Sequence, residues 1–423
     1  MEPNSVLLVI LLFSGSIGAL VLLVRHQAVV IRVGAGALAL LFASVGGMAV
    51  VNDYYGYYQS WGQLNADFTG NYGQFTATAI GGRTDPQLTG KVVTLRFAGA
   101  RSGIVRGGYV YLPPQYFQPA YRHTRFPVAE LLHGTPSYAG SWLVHMRANL
   151  IADQLISKRL MGPMVLVMPQ TYSRGNYSEC LNSSHGQDAT YLTTDIRHDV
   201  VSRFRVSRIP AEWGLIGESS GGYCAANLGL QYRTMFGSIA VMSGYFRPQD
   251  GPAAQVLGGN PAAEAANDPL LLARKLSSGV SPLPSFWLAS GTANHGDIAG
   301  AEAFAAALHG VERTVLLREP GGEHNFYAFG AAFVRALPWT WTQVASPSLR
   351  VQFPIAGGVS GHTVRVPSGG RHLPGVLMPP TIAERGHRHE SARTVPPTIV
   401  WPRVSIKSPK KPSSWEATTS PPR

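Results

Sequence analysis

The chain has 423 residues and a mass of 45.4 kDa, room for one large domain or two ordinary ones with a sizeable core. Hydrophobic residues make up 45% and charged residues only 14%, which excludes a wholly disordered chain and points to membrane-embedded or deeply buried segments. The net charge of +12 invites a nucleic-acid or anionic-surface partner, but ten basic residues against three acidic ones lie in 351–423, so +7 of the excess belongs to one end. Nucleic acid is therefore not expected as a partner.

Residues 5–24, SVLLVILLFSGSIGALVLLV, carry no ionisable group, and at ~1.5 Å per residue they span the ~30 Å hydrocarbon layer of a bilayer. Residues 33–51 form a second uncharged stretch, and Arg25, His26 and Arg32 make a short basic turn between the two. The pattern predicts a transmembrane hairpin over 1–52. A cleaved signal peptide is the rival, but it calls for a basic start and a shorter apolar core than Met1-Glu2-Pro3-Asn4 and its sequel provide. The positive-inside rule keeps Arg25 and Arg32 cytoplasmic, so the large domain is expected on the extracytoplasmic side of the plasma membrane.

Residues 53–89 read as an aromatic juxtamembrane linker in which Tyr54, Tyr55, Tyr57, Tyr58 and Trp61 suit the interfacial belt. From about Gly90 eight short apolar runs follow, bounded by Gly and Pro: VVTLRFAG, GGYVYLPP, FPVAELLHG, MVLVMPQ, WGLIGES, GSIAVMSG, SFWLASGT and RTVLLREPG. From Val128 onward several are apolar at successive positions, as strands covered on both faces are. Helical patterns fit 142–158, 192–203, 222–232 and 301–309, the last closed by Gly310. The alternation predicts an α/β domain with a mostly parallel sheet over 90–345. Residues 346–423 are basic and Pro-rich without a period, and are expected to be a disordered tail. A sharper reading of the tail is attachment to an anionic lipid or polymer.

Gly217-Glu218-Ser219-Ser220-Gly221 matches G-x-S-x-G between an apolar strand and a helix-compatible segment, the setting of a nucleophile elbow. A serine hydroxyl attacks an ester only with a base beside it, and on this fold the chain order is Ser, acid, His. His324, in GGEHNF after the last strand, is the natural base. His309 stands at a helix end, and His295 lies in the loop expected to supply the acid. Asp297, the only carboxylate in that loop, is the expected acid; Glu302 is the runner-up, Asp268 precedes the strand, and a plain N-cap role is the other reading of Asp297. For the oxyanion hole the backbone N–H groups of Ser220 and of Thr135, in Leu131-Leu132-His133-Gly134-Thr135-Pro136, are the candidates, Pro136 having no donor. His133 reads equally as a pocket wall or a participant. Cys180 and Cys224, the only cysteines, form one disulfide in an oxidising compartment or remain two buried thiols. No phosphate loop, H-E-x-x-H or paired C-x-x-C appears, so no cofactor or metal is expected.

The LLHGTP loop, the GESSGGYCA elbow and the PGGEHNFYAF end together resemble the esterase D/putative esterase family of α/β-hydrolases over about 90–341. That family includes formylglutathione hydrolases, feruloyl and enterochelin esterases and the mycolyltransferases of mycobacteria. NDYYGYY after the hairpin resembles its actinobacterial membrane-attached branch. The resemblance implies an α/β-hydrolase fold and a triad of Ser219, His324 and an acid, with oxyanion donors at Thr135 and Ser220. Mycolyltransferases carry a Glu after strand seven, where His295 or a neighbour stands here. The expected function is a membrane-anchored serine esterase working through an acyl-enzyme on an acyl-ester substrate. The alternatives are an acyltransferase that delivers the acyl group to a cell-envelope glycan or lipid acceptor, and a catalytically inactive hydrolase-fold surface protein.

Overall fold

The structure is a computed structural model, and it describes residues 1–69, 88–173, 177–184, 186–276, 282–308 and 314–355. The expected tail from 356 onward, the linker residues 70–87, and His309 with the Gly310 stop lie outside the described residues.

Eight strands form one sheet: β1 (Lys91–Ala98), β2 (Val105–Leu112), β3 (Val128–Leu132), β4 (Val165–Pro169), β5 (Trp213–Glu218), β6 (Ser238–Met242), β7 (Ser285–Gly291) and β8 (Thr314–Glu319). Their order is β1-β2-β4-β3-β5-β6-β7-β8, antiparallel where β2 meets β1 and β4 and parallel from β4 to β8. Each falls on one of the eight apolar runs. Every residue of β3 to β7 is buried, because neighbouring side chains on a strand point to opposite faces and both faces are covered. On β3 and β5, Leu132 and Leu215 join one core with Phe246, Phe286 and Phe304, whereas Leu131 and Ile216 join the other with Trp142, Phe333 and Trp341. The protein is an α/β-hydrolase-type domain preceded by two apolar helices.

Those helices are α1 (Val6–Arg25) and α2 (Val29–Tyr55), of mean hydropathy 2.8 and 2.0, long and apolar enough by length and composition to cross a membrane. They pack as a hairpin in which Gly15 meets the Phe42 ring, Gly46 meets the Phe13 ring, and Ser16 Oγ donates to Ala39 O at 2.9 Å. α2 runs to Tyr55 rather than stopping near 52, and α3 (Trp61–Thr69) makes part of the expected linker helical and packed, with Gln63 and Ala66 fully buried.

The helix expected over 142–158 is broken. A turn at Ser141–Val144 is followed by α4 (Ala148–Ser157), separated by Arg147 at φ 51, a left-handed conformation that ends one helical stretch and redirects the chain. α5 (Ile196–Arg203) follows a π-helical turn at Tyr191–Asp195, α6 (Ser220–Gln231) follows β5, and α7 (His295–Ala307) starts six residues before the expected position. α8 (Phe326–Val344) is the long helix against the second core. A short helix at Pro347–Gln352 and the packed Phe353 and Ile355 move the end of the folded domain past 346, so the disordered tail expected from that residue does not begin there.

Candidate active site

Leu132 pairs with Gly217, and Glu218 with Met242, so the loop after β3 and the turn after β5 leave the sheet side by side at its carboxyl edge. At that turn Ser219 has φ 55 and ψ −124, a conformation a non-glycine residue holds only where its surroundings enforce it. The enforcement is visible in the glycines: a Cβ on Gly221 would stand 2.1 Å from Leu132 O, and one on Gly217 1.9 Å from Gly221 O. Strand and helix therefore touch through backbone, and the Ser219 side chain is thrust out at the start of α6.

Two edge loops bring the other members. Glu319 at the end of β8 pairs with Gly291 at the end of β7, so the loops that follow also emerge together. Asn294 caps α7, its side chain accepting Asp297 N–H at 3.2 Å. Asp297 is thus inside the first turn rather than the cap, with its carboxylate free to reach across. Its Oδ2 lies 2.6 Å from His324 Nδ1, and His324 Nε2 lies 2.9 Å from Ser219 Oγ. A carboxylate can only accept, so Nδ1 carries the proton and Nε2 is left to accept from the serine hydroxyl. Burial lowers the His324 pKa, but the hydrogen bond and charge of Asp297 outweigh it and raise the imidazole above 6.5.

The structure thus brings Ser219, His324 and Asp297 into one line. It does not bring the other acids there: Glu302 pairs with Arg318 at 2.7 Å on the surface, and Asp268 caps the helix Pro269–Lys275 through Leu271 N–H. His295 is exposed at the start of α7.

The loop after β3 is held from below. His133 is buried, and its Nε2 accepts Thr171 N–H at 3.1 Å, which places the ring proton on Nδ1 for donation to Gly134 O at 2.9 Å. Burial brings its pKa down to about 4, so it is a neutral brace. Gly134 N–H donates to Glu218 Oε1 at 2.7 Å, leaving Thr135 N–H as the next donor along that loop. Among the described residues, neither Thr135 N–H nor Ser220 N–H is donated to a partner. Ser220 Oγ donates to Thr135 Oγ1 at 3.1 Å, Thr135 Oγ1 to Glu179 Oε1 at 3.3 Å, and Tyr245 Oη to the other oxygen of Glu179. Cys180, beside Glu179, is disulfide-bonded to Cys224 on α6, which ties this polar support to the helix that follows Ser219.

Glu218 and Glu179 were not singled out from the sequence. Glu218 is the first of the two variable residues of G-x-S-x-G, and nothing in the motif says that its side chain turns inward to the loop after β3. Burial pushes its carboxyl up to about 8, against the Gly134 N–H bond and the charge of His324. Glu179 sits in a loop without a pattern; burial raises its carboxyl, opposed by the Tyr245 and Thr135 hydroxyls. Among the described residues no cluster of three or more His, Cys, Asp or Glu side chains is arranged to hold a metal ion.

Comparison with known proteins bears on this geometry. Residues 101–340 match the Esterase family model, described as "Putative esterase". An uncharacterized protein of Corynebacterium glutamicum is 28% identical over 257 residues, 57% of this chain and 60% of that protein, so the match spans less than two-thirds of that relative. Among solved structures, a ferulic acid esterase aligns over 61% of this chain and 99% of its own at 17% identity and TM-score 0.54. An S-formylglutathione hydrolase from Agrobacterium tumefaciens aligns over 62% and 98% at 20% identity and TM-score 0.52. A fluorophosphonate-binding serine hydrolase of Staphylococcus aureus aligns over 60% and 99% at 17% identity and TM-score 0.51. At those identities the likeness is one of fold. With the family model covering more than half of its length, the chain belongs to the Esterase family.

Proposed function

We propose that the protein is a membrane-anchored serine esterase whose catalytic domain faces the extracytoplasmic side and which works through an acyl-enzyme. The observation that carries this reading is the His324 imidazole standing between Ser219 Oγ at 2.9 Å and Asp297 Oδ2 at 2.6 Å. Ser219 Oγ attacks the ester carbonyl while His324 Nε2 takes its proton, and Asp297 stabilises the resulting imidazolium through Nδ1–H. The carbonyl oxygen becomes an oxyanion that Thr135 N–H and Ser220 N–H receive. As the tetrahedral intermediate collapses, the acyl–oxygen bond breaks, the leaving alcohol takes the proton from Nε2, and the acyl group stays on Ser219. Water repeats the sequence with His324 as base and frees the acid. A hydroxyl of a cell-envelope glycan or lipid in place of that water would make the same enzyme a transferase.

Three features support the placement. The apolar hairpin provides an anchor, Arg25 and Arg32 flank its turn, and the Cys180–Cys224 disulfide suits an oxidising compartment. In this reading 1–55 is the anchor, 56–89 the juxtamembrane segment, and 90–355 the catalytic domain.

The test is labelling of full-length protein in detergent with a fluorophosphonate probe, beside turnover of p-nitrophenyl acetate with and without an added sugar acceptor. Wild type should label at Ser219 and hydrolyse the ester, and Ser219→Ala should do neither. A wild-type protein that does not label is an inactive scaffold, and an acyl-sugar product identifies transfer.

A further inference from the structure

The mechanism above leaves unused the segment that joins the hairpin to the catalytic domain, and that segment touches both sides of the reaction centre. Asn325 Nδ2, one residue after the base, donates to Tyr54 O at 3.0 Å, and Tyr54 Oη donates to Glu323 Oε2, one residue before it, at 3.3 Å. Asn4 Nδ2, just before α1 at the same open end of the hairpin, donates to Tyr327 Oη at 3.1 Å. On the opposite side, the chain that continues from the loop after β3 is gripped as well. His145 Nδ1–H donates to Tyr57 O, Gln63 Nε2 donates to Val144 O, and the hydroxyls of Tyr138 and Tyr58 both donate to Asp67. The Tyr57 ring packs edge-on against Phe326, with centroids 5.4 Å apart.

Height follows from helix geometry. The apolar run of α2 ends at Val51, Asn52 and Asp53 are polar, and Tyr54 lies three residues, or ~4.5 Å of helix rise, beyond Val51. A bilayer's polar layer is ~5–8 Å thick on each side of its hydrocarbon core. With α2 set across a bilayer, Tyr54, which holds Glu323 and Asn325 on either side of His324, stands in the headgroup layer, the level at which the ester bonds of lipids lie. Tyr54, Tyr55, Trp61 and Phe68 are exposed around this joint, the amphipathic and aromatic set that seats at an interface.

We infer that residues 54–67, from the end of α2 through α3, are a wall of the active site that holds the catalytic loop at the membrane surface, and that the substrate is an ester of a membrane-resident amphiphile, attacked while its acyl chain remains in the bilayer. The inference rests on the reading of Ser219 as the nucleophile of an anchored esterase. A water-soluble ester reaches the same triad, but without the enrichment that a shared surface provides.

The experiment reconstitutes the full chain into phosphatidylcholine vesicles and compares p-nitrophenyl palmitate in those vesicles with p-nitrophenyl acetate in water, two esters with one leaving group. Palmitate turnover should follow its mole fraction in the bilayer at fixed bulk concentration, and should exceed acetate turnover at equal bulk concentration about tenfold or more through effective concentration. Palmitate turnover that follows bulk concentration, or that is absent while acetate is hydrolysed, overturns the inference and leaves the esterase reading standing. Loss of acetate hydrolysis together with loss of fluorophosphonate labelling refutes the esterase reading and this inference with it. The joint is tested by Gly56→Ala. Gly56 has φ +67, and a Cβ there would meet the Tyr327 ring at 2.7 Å. The palmitate-to-acetate ratio should fall about tenfold as that shared surface is lost. An unchanged ratio in a variant that still labels overturns the wall. Should the variant not fold, the mole-fraction dependence of the wild type decides alone.

Discussion

The two halves of the proposed active site are built on opposite plans. The half that carries Ser219 leaves β3 and β5, central strands buried on both faces, and its glycines bring backbone against backbone. The half that carries His324 leaves β8, the edge strand, most of which is only half-buried, beside its buried neighbour β7, and the His324 side chain keeps 36% of its surface exposed. A strained backbone such as that of Ser219 persists only where packing over-determines it, so it belongs in the centre. In the proposed mechanism the imidazole exchanges a proton with a leaving group and then with water, which needs access and suits a place at the rim.

Substitutions should separate the two halves, and the largest loss should come from the nucleophile. Ser219→Ala is expected to lower turnover about 10⁶-fold while leaving the melting temperature near wild type, measured by ester hydrolysis and thermal unfolding. Activity within tenfold of wild type would remove Ser219 from the mechanism. On the relay side, Asp297→Asn should cost about 10⁴-fold in kcat because the imidazole loses the group that fixes its tautomer. Glu302→Gln, altering only a surface pair with Arg318, should stay within about twofold. The reverse ranking would reassign the acid.

Packing in the centre gives the next effect. Gly221→Ala must move the elbow away from Leu132 O and should destabilise by about 3 kcal/mol, the upper end of ordinary overpacking, read as a fall in denaturant midpoint. A neutral result would mean that the elbow is not held by that contact.

The pH dependence sharpens the relay side. His324 works as a base only when neutral, and its pKa is raised above 6.5, so kcat/KM should lose activity as pH falls through a value above 6.5. Residual activity in Asp297→Asn should show that limb displaced to lower pH, because the hydrogen bond and charge that favoured the imidazolium are gone. The smallest effect concerns Glu218. The unfolded chain releases that proton near 4.5 while the fold keeps it until about 8, so its contribution to stability is lost as pH rises across that interval. Glu218→Gln, which keeps an acceptor for Gly134 N–H, should gain on wild type in melting temperature from pH 5 to pH 8. Parallel curves would refute the buried protonated carboxyl.

The same contrast explains what could be read from the sequence. β3 to β7 are uninterrupted apolar runs between Gly and Pro because both faces are covered, and covering leaves a mark in composition. Ser219, His324 and Asp297 could be named as candidates because an elbow and a chain order place them relative to strands, and their side chains do meet. The break at Arg147 was not legible, since the residues from Trp142 to Lys158 keep a helical apolar spacing, while Val144 and His145 at the break are bonded to Gln63 and Tyr57 from far along the chain. α3 was hidden for a related reason: WGQLNADFT has little apolar periodicity, and it is held by the polar bonds of Gln63 to Val144 and of Tyr138 to Asp67, 81 and 71 positions apart in the chain. Glu218 and Glu179 owe their roles to burial beneath a loop, which no local pattern announces.

The bond between Cys180 and Cys224 has a practical consequence. These are the only cysteines in the chain and both are consumed, so the protein offers no background to a thiol reagent. A single cysteine placed at His26, in the turn between α1 and α2, would be the sole target for a membrane-impermeant maleimide. Intact cells should leave it unmodified and permeabilised cells should not, if the basic turn is cytoplasmic. The disulfide beneath the nucleophile's helix thus makes the protein a clean reporter of its own sidedness.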